Sequence, residues 1–295
     1  MRPGRCEDGG VNSEDDARET GVAPPPLAGD VVVPVATTAD FSRREFALRE
    51  FMDGPTTYAE YKRAALGLES LNDWTMGHEA AIAFVEQVVR KTGVTHEPLH
   101  VVEVGCGHGD GLRAVMKWGA RKSIPLRMTG VDMNPYAARL AKERDRQKHV
   151  SAGTIAWVTG DLFGVELARP ADVVVSSLLA HHLSDEEIVR LLRWKDTNAR
   201  VGWMVSDLRR SEKAAAWFGR LGRWLRWDAM LQHDGPVSFR RALSLKEWKA
   251  AVKDAGVKAE VRDVGWGRVC VTSLKSVDGK NNPSPSALSY SAQRT

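Results

Sequence analysis

Two rhythms of apolar and polar positions run along this chain. From residue 99, short runs rich in β-branched residues (LHVVEV, LRMTGVD, TIAWVTGD, ADVVVSS and ARVGWMVSD) predict five strands. Between and after them lie segments whose apolar residues recur at helical spacing: DGLRAVMKWGAR, NPYAARLAKERDRQ, SDEEIVRLLRWKDT and LSLKEWKAAVKDAG. Pro135 stands near the start of the second, and Ser184 with Glu187 spells a capping box on the third. Two final runs, KAEVRDV and GRVCVTSL, are separated by little more than Gly265 and Trp266, which predicts a hairpin. Alternating strands and helices predict an α/β fold: a doubly wound, mostly parallel sheet with an antiparallel terminal hairpin.

Residues 41–94 read as an N-terminal helical cap. Thr57 and Glu60 form a capping-box pattern, and GHEAAIAFVEQVVRKTG ends at Gly93 with Arg90 and Lys91 in its last turn. Residues 1–40 are acidic and hold APPPLAG, which no helix interior accepts; 276–295 are polar and poor in apolar residues. Both ends read as disordered tails flanking a domain over 95–275.

The junction of the first strand and its helix reads VVEVGCGHGDG, with Gly105, Gly107, Gly109 and Gly111 at alternate positions. Glycines there allow unusual dihedrals and let a ligand approach the backbone, at the strand ends where a doubly wound sheet binds nucleotide-like molecules. The dinucleotide pattern G-x-G-x-x-G fails, because Asp110 stands where its third glycine would fall. Glu103 precedes the run, and a carboxylate there suits a cationic amino-acid group better than a pyrophosphate.

These residues resemble the class I S-adenosylmethionine-dependent methyltransferases over about residues 95–275, with a seven-stranded Rossmann-like sheet as the implied fold. Glu103, Gly105, Gly107 and Gly109 match the first family motif. Asp132, followed by Met133, matches the acid that binds both ribose hydroxyls, and Asp161 with Leu162 matches the adenine side. ADVVVSSLLAHHL, with Ser176, matches the fourth strand and the loop beneath the methylsulfonium. The resemblance implies S-adenosyl-L-methionine as cofactor. Read without it, Asp132 is a helix cap and Asp161 a turn residue.

Charge and composition narrow the rest. The net charge of +4 is uneven: residues 1–30 hold three Arg against seven Asp/Glu, which leaves the remainder at +8. That body suits an anionic or phenolic substrate, a membrane surface or nucleic acid. Three distant cysteines form no disulfide framework or metal knuckle, and a reduced, cytoplasmic protein is the default. SSLLA after the fourth strand lacks the Asn/Asp-Pro-Pro-aromatic motif of amine methylation on nucleic acids, and no cysteine there supports cytosine-carbon chemistry. No carboxylate cluster of the metal-dependent catechol type is apparent, so a metal-independent small-molecule enzyme is expected.

LLAHHLSDEEIVRLLRWKDTNARVGWMVSDLRRS resembles the ubiquinone/menaquinone-biosynthesis type, and HDGPVSFRRALSLKEWKAAVKDAG is similar to methyltransferases that accompany type III polyketide synthases. The implied acceptor is phenolic, quinol or polyketide-like, with O-methylation ahead of C-methylation and nucleic acid not expected as a partner. A phenol reacts best once deprotonated; His181, His182 and His233 are the candidate bases, with His182 and His233 preferred. Arg209, Arg210, Arg240 and Arg241 are candidates to hold an anionic acceptor.

Residues 209–241 read as an insert. Within 214–231, Trp217, Phe218, Leu221, Trp224 and Leu225 recur at helical spacing, predicting a lid whose Trp217 and Trp224 face the acceptor; Gly219 and Gly222 weaken that helix. Six basic residues from Arg209 to Arg226 against Glu212 alone leave two further readings: contact with a membrane surface, or docking of a nucleic acid or protein on 209–227. A cofactor-binding protein without catalysis is the third class, and the intact Glu103, Gly105, Gly107 and Asp132 argue against it.

Overall fold

The structure, a computed structural model, describes residues 40–93, 97–151, 154–167 and 170–276. The two expected tails, apart from Asp40 and Ser276, lie outside the described residues.

Seven strands form one sheet: β1 (Leu99–Val104), β2 (Leu126–Asp132), β3 (Ile155–Thr159), β4 (Ala171–Ser177), β5 (Ala199–Leu208), β6 (Glu260–Gly265) and β7 (Arg268–Leu274). Their order is β3-β2-β1-β4-β5-β7-β6. The first five pair in parallel; β7 runs antiparallel to both β5 and β6. The order reverses between β1 and β4, the switch point at which such sheets leave a crevice.

Both faces are covered, as the near-continuous apolar strands require. Val102, Val104, Val174 and Trp203 pack on one face against α5 (Asp185–Asn198) and α8 (Leu245–Ala255). Val101, Val173, Val175 and Met204 pack on the other against α2 (Glu79–Thr92) and α3 (Asp110–Arg121). Helix α4 (Pro135–Gln147) follows β2, capped by Asn134. The capping boxes of α1 (Tyr58–Trp74), α5 and α8 form at Thr57, Ser184 and Ser244, each satisfying two orphan N-terminal groups.

Two helical expectations fail. Residues 41–57 hold only a short 3-10 turn, Phe51–Asp53, because side chains tie this segment to the domain. Arg44 donates to the Leu183 carbonyl at 2.5 Å and to Asp185 at 2.6 Å, and Glu45 pairs with Arg240. The single helix expected over 214–231 is two, α6 (Glu212–Trp224) and α7 (Ala229–Arg241). The break falls at Arg226, whose φ is 52°, and Asp228 caps the second helix. Gly219 and Gly222 are buried contact points on α6: a Cβ on Gly222 would lie 3.0 Å from the Trp227 ring, and one on Gly219 would lie 3.7 Å from Pro236. The glycine that lets the two helices approach is Gly235 on α7, where a Cβ would lie 1.9 Å from the Phe218 ring.

Candidate active site

Strand carboxyl ends build one large cavity of about 2010 Å³. β1 contributes Glu103, Gly105 and Gly107; β2 contributes Asp132 and Met133; β4 leads into Ser177, Leu178 and Leu179; β5 leads into Arg209. Helix α1 roofs it with Tyr61 and Ala64, and α6 adds Trp217 and Phe218.

The glycine run divides its work. Gly107 has φ 52°, lines the cavity, and a Cβ there would meet nothing within 4 Å, which leaves its backbone open to a ligand. Its N–H donates to Asp132 Oδ2 at 2.8 Å, while Asn134 N–H donates to Oδ1 at 2.9 Å. Gly109 was expected to bind cofactor but is not a cavity wall. Its φ is 78°, and a Cβ would sit 2.0 Å from the Trp157 ring, so glycine is required for packing. At Gly111 a Cβ would fall 3.0 Å from a Glu103 carboxylate oxygen.

Glu103, near the end of β1, is buried against Gly111 in the first turn of α3. Burial, reinforced by the nearby Asp110 carboxylate, pushes its carboxyl up to about 8, against the opposing pull of His78 and Lys195. Burial likewise raises the Asp132 carboxyl, although its two backbone donors oppose that.

Two histidines line the same cavity. A 3-10 turn, Ala180–His182, follows Leu178, a non-glycine with φ 54°. His182 lines the cavity and bonds Asp53 Oδ1 through Nδ1 at 2.9 Å. His181 bonds Asp207 Oδ1 through Nδ1 at 2.7 Å. Burial alone would raise both carboxyls, but their histidines and backbone donors, with Arg241 at Asp53, hold them below the ordinary range. The two rings lie 4.2 Å apart between centroids, Glu50 is buried facing both Nε2 edges, and Arg241 pairs with Asp53 and lies 3.4 Å from Glu50 Oε1.

Other expected residues lie elsewhere. His233 stands on α7, bonded to Asp234 at 2.8 Å with its ring 4.6 Å from Phe51, outside the cavity walls. Arg240 is taken by Glu45, and Arg210 by Glu247 and the Phe41 and Ala242 carbonyls. Trp224 is 78% exposed and outside the cavity, because α6 turns its small residues, not that ring, onto α7. Ser176 is fully buried beneath the surface that Ser177 lines. Leu162 packs against the core and Asp161 accepts the Phe163 N–H at 3.1 Å, both beside the end of β2 but not in the cavity wall.

Glu50, Asp53, Asp207 and Tyr61 escaped the sequence reading. Glu50 and Asp53 sit in a segment read as helix, and nothing local marks them. Asp207 ends the ARVGWMVSD run, where a strand-terminal acid was a readable signal.

Residues 101–195 match a family described as a methyltransferase domain. No curated protein matches the chain in sequence. Solved structures of similar fold include an O-methyltransferase family 2 protein from Planctomyces limnophilus in complex with apigenin, at 15% identity and TM-score 0.54, covering 76% of this chain and 63% of that one. A second is the plantazolicin methyltransferase BpumL, at 12% identity and TM-score 0.53, covering 74% and 96%. A third is human N-acetylserotonin methyltransferase in complex with S-adenosylmethionine, at 15% and TM-score 0.51; it is matched over 74% of this chain, which spans only 56% of that protein's length. With that family match and this strand order together, the chain carries a methyltransferase domain of the class I, S-adenosylmethionine-dependent type.

Proposed function

We propose that the chain transfers a methyl group from S-adenosylmethionine to the hydroxyl of a small phenolic, quinol or polyketide-type acceptor. One observation carries the reading: the Gly107–Asp132 cleft and the His182–Asp53 pair open onto the same cavity. Its volume exceeds the roughly 300–1,000 Å³ of a one-ligand pocket and has room for two molecules side by side.

The residues fit the cofactor. Asp132 is the acceptor for ribose hydroxyls, Gly107 gives the backbone clearance, and Glu103 faces the amino-acid end; Asp161 and Leu162 are assigned to the adenine edge beyond the cavity wall. When bound, S-adenosylmethionine supplies an electrophilic methyl on a sulfonium. His182 accepts the acceptor's hydroxyl proton at Nε2, and Asp53, bonded to Nδ1, orients the ring. Trp217 and Phe218 exclude water around the acceptor, and Tyr61 covers the Asp132 side.

The direct test incubates the protein with S-adenosylmethionine and a panel of phenols, quinols and polyketides, and reads methylated products by mass spectrometry. The fold neighbour bound to apigenin puts flavonoids in that panel. Turnover of RNA or protein in place of every small molecule would overturn the acceptor class.

Glu103 predicts a proton count. With its carboxyl at about 8, the free protein holds that proton at pH 7, and a cationic ammonium beside it favours ionisation. Cofactor binding at pH 7 is expected to release about 0.9 proton, falling towards zero above about pH 9. Calorimetry in buffers of different ionisation enthalpy measures this, and zero release at pH 7 removes Glu103 from the ammonium. The linkage has a matching sign in stability. Between the ordinary 4.5 and about 8 only the folded chain keeps this proton, so this group lowers stability as pH rises through that window.

Trp217 and Trp224 separate in the same way. Losing about 60 Å² of apolar contact at about 25 cal/mol per Å² is about 1.5 kcal/mol, or roughly tenfold. Trp217→Ala is therefore expected to raise the acceptor KM about tenfold with cofactor affinity unchanged. Trp224→Ala, outside the cavity, is expected to leave both unchanged. Steady-state kinetics on the two variants decides it, and equal effects would make α6 packing, not acceptor contact, the cause.

A further inference from the structure

Glu50, His181 and His182 meet where the loop before α1 touches the turn after β4. One donor atom from each lies within 4.8 Å of the others. His182 Nε2 is 3.7 Å from Glu50 Oε2, and His181 Nε2 is 3.8 Å from Glu50 Oε1. Both separations are too long for an N–H···O hydrogen bond.

The outer contacts explain why these atoms face each other. Each ring donates Nδ1–H to a carboxylate, His181 to Asp207 and His182 to Asp53. That pins both rings and turns their Nε2 atoms towards Glu50. Two ring nitrogens therefore face one buried carboxyl group at distances that a direct hydrogen bond does not span. A carboxylate behind each histidine, with Nε2 turned inward, is also the arrangement that orients metal-bound imidazoles. Glu50 Oε1 already accepts from Ser238 Oγ at 2.9 Å and faces Arg241, which leaves Oε2 turned to His182.

Charge and size agree. Glu50, Asp53, Asp207 and the adjacent Asp234 outnumber the guanidiniums nearby, Arg241, Arg44 and Arg268, by one charge. Nitrogen and oxygen ligands about 2.0–2.1 Å from a tetrahedral ion stand about 3.3 Å apart; the two Glu50–histidine gaps, each to a different carboxylate oxygen, lie a few tenths of an ångström beyond that, and the three donors, spread over up to 4.8 Å, draw together on binding. Two imidazoles and one carboxylate form a zinc-type donor set, and His182 lines the cavity, which places an open fourth position on the acceptor side.

We propose that Glu50, His181 and His182 bind one divalent transition-metal ion, zinc by donor type, whose open position takes the acceptor oxygen. The role in catalysis rests on the acceptor reading above. The ion would hold the oxygen as its anion by coordination, in place of proton removal by a free His182 Nε2. The binding itself does not depend on that reading.

The test uses the full chain, purified without a histidine tag and stripped with a chelator. Titration with Zn²⁺ is expected to give one ion per chain, and Co²⁺ to give the visible d–d absorption of a tetrahedral nitrogen/oxygen site. His182→Ala, at a partly exposed position, is expected to abolish both signals, with circular dichroism unchanged. Asp53→Asn, which touches no metal, is expected to weaken Zn²⁺ about 10–100-fold. Absence of stoichiometric Zn²⁺ binding by the native chain, or binding that survives His182→Ala, overturns the proposal. The two readings fail separately. A protein that binds Zn²⁺ through these residues yet methylates no small molecule keeps the metal site and loses the acceptor class. One that methylates phenols at full rate after stripping loses the metal's catalytic role and keeps His182 as the base.

Discussion

His182→Ala is expected to lower methyl transfer by about 10²–10⁴-fold, the range for loss of a positioned proton acceptor, while cofactor affinity stays within twofold. The side chain sits on the cavity with Nδ1 held by Asp53 at 2.9 Å, so little else in the fold rests on it. Single-turnover kinetics with a saturating acceptor measures the chemical step, and calorimetry measures the cofactor. His233→Ala is the contrast: bonded to Asp234 and outside the cavity, it is expected to change the rate by less than twofold. If the two variants fall together, or His182→Ala retains a tenth of the native rate, histidine does not activate the acceptor. Repeating the measurement on stripped and Zn²⁺-loaded native protein then separates proton removal from coordination, because only the latter tracks metal content.

Asp132→Ala is expected to weaken S-adenosylmethionine at least tenfold in a folded protein. Two ribose hydroxyls donating to one carboxylate are charge-assisted bonds of about 1.5–3 kcal/mol each. Part of the loss has a second source, since the same carboxylate accepts the Gly107 and Asn134 N–H groups and holds the glycine loop in place. Asp132→Asn keeps the side chain's size and one acceptor oxygen, and is expected to lose less. The ribose is common to the methyl donor and its demethylated product, so both should weaken by the same factor. Equal affinity in native and Asp132→Ala protein would take this residue out of the site; a loss confined to the methyl donor would place it at the sulfonium end.

Much of this was legible in local pattern. Runs such as LHVVEV and ADVVVSS, buried on both faces, carry their strand character in composition, because central parallel strands need apolar residues throughout. Thr57, Ser184 and Ser244 mark helix starts because a cap acts within one turn. The Glu103–Gly107 run and Asp132 were readable for the same reason. Strand ends at a switch point converge by topology, so residues placed there by sequence reach one crevice.

Elsewhere local pattern misled. Gly109 reads like its neighbours, yet it is glycine for Trp157, 48 positions later in the chain. Trp217 and Trp224 share a helical stripe, and only the packing of α6 on α7 sends one to the cavity and leaves the other outside. Residues 41–57 have helical composition, but Arg44 and Glu45 bond to distant elements and hold them in an irregular strap.

The sequence by itself therefore determined the sheet, the order of its elements along the chain and the acids at its strand ends, because each depends on neighbours within a few residues. Only the tertiary structure decided which histidine faces the cavity and what stands behind it. Glu50 and Asp53 lie about 130 residues from the histidines they meet, and Asp207 comes from a different strand. No periodicity or motif records a contact of that span; the strap over the sheet's carboxyl edge creates it.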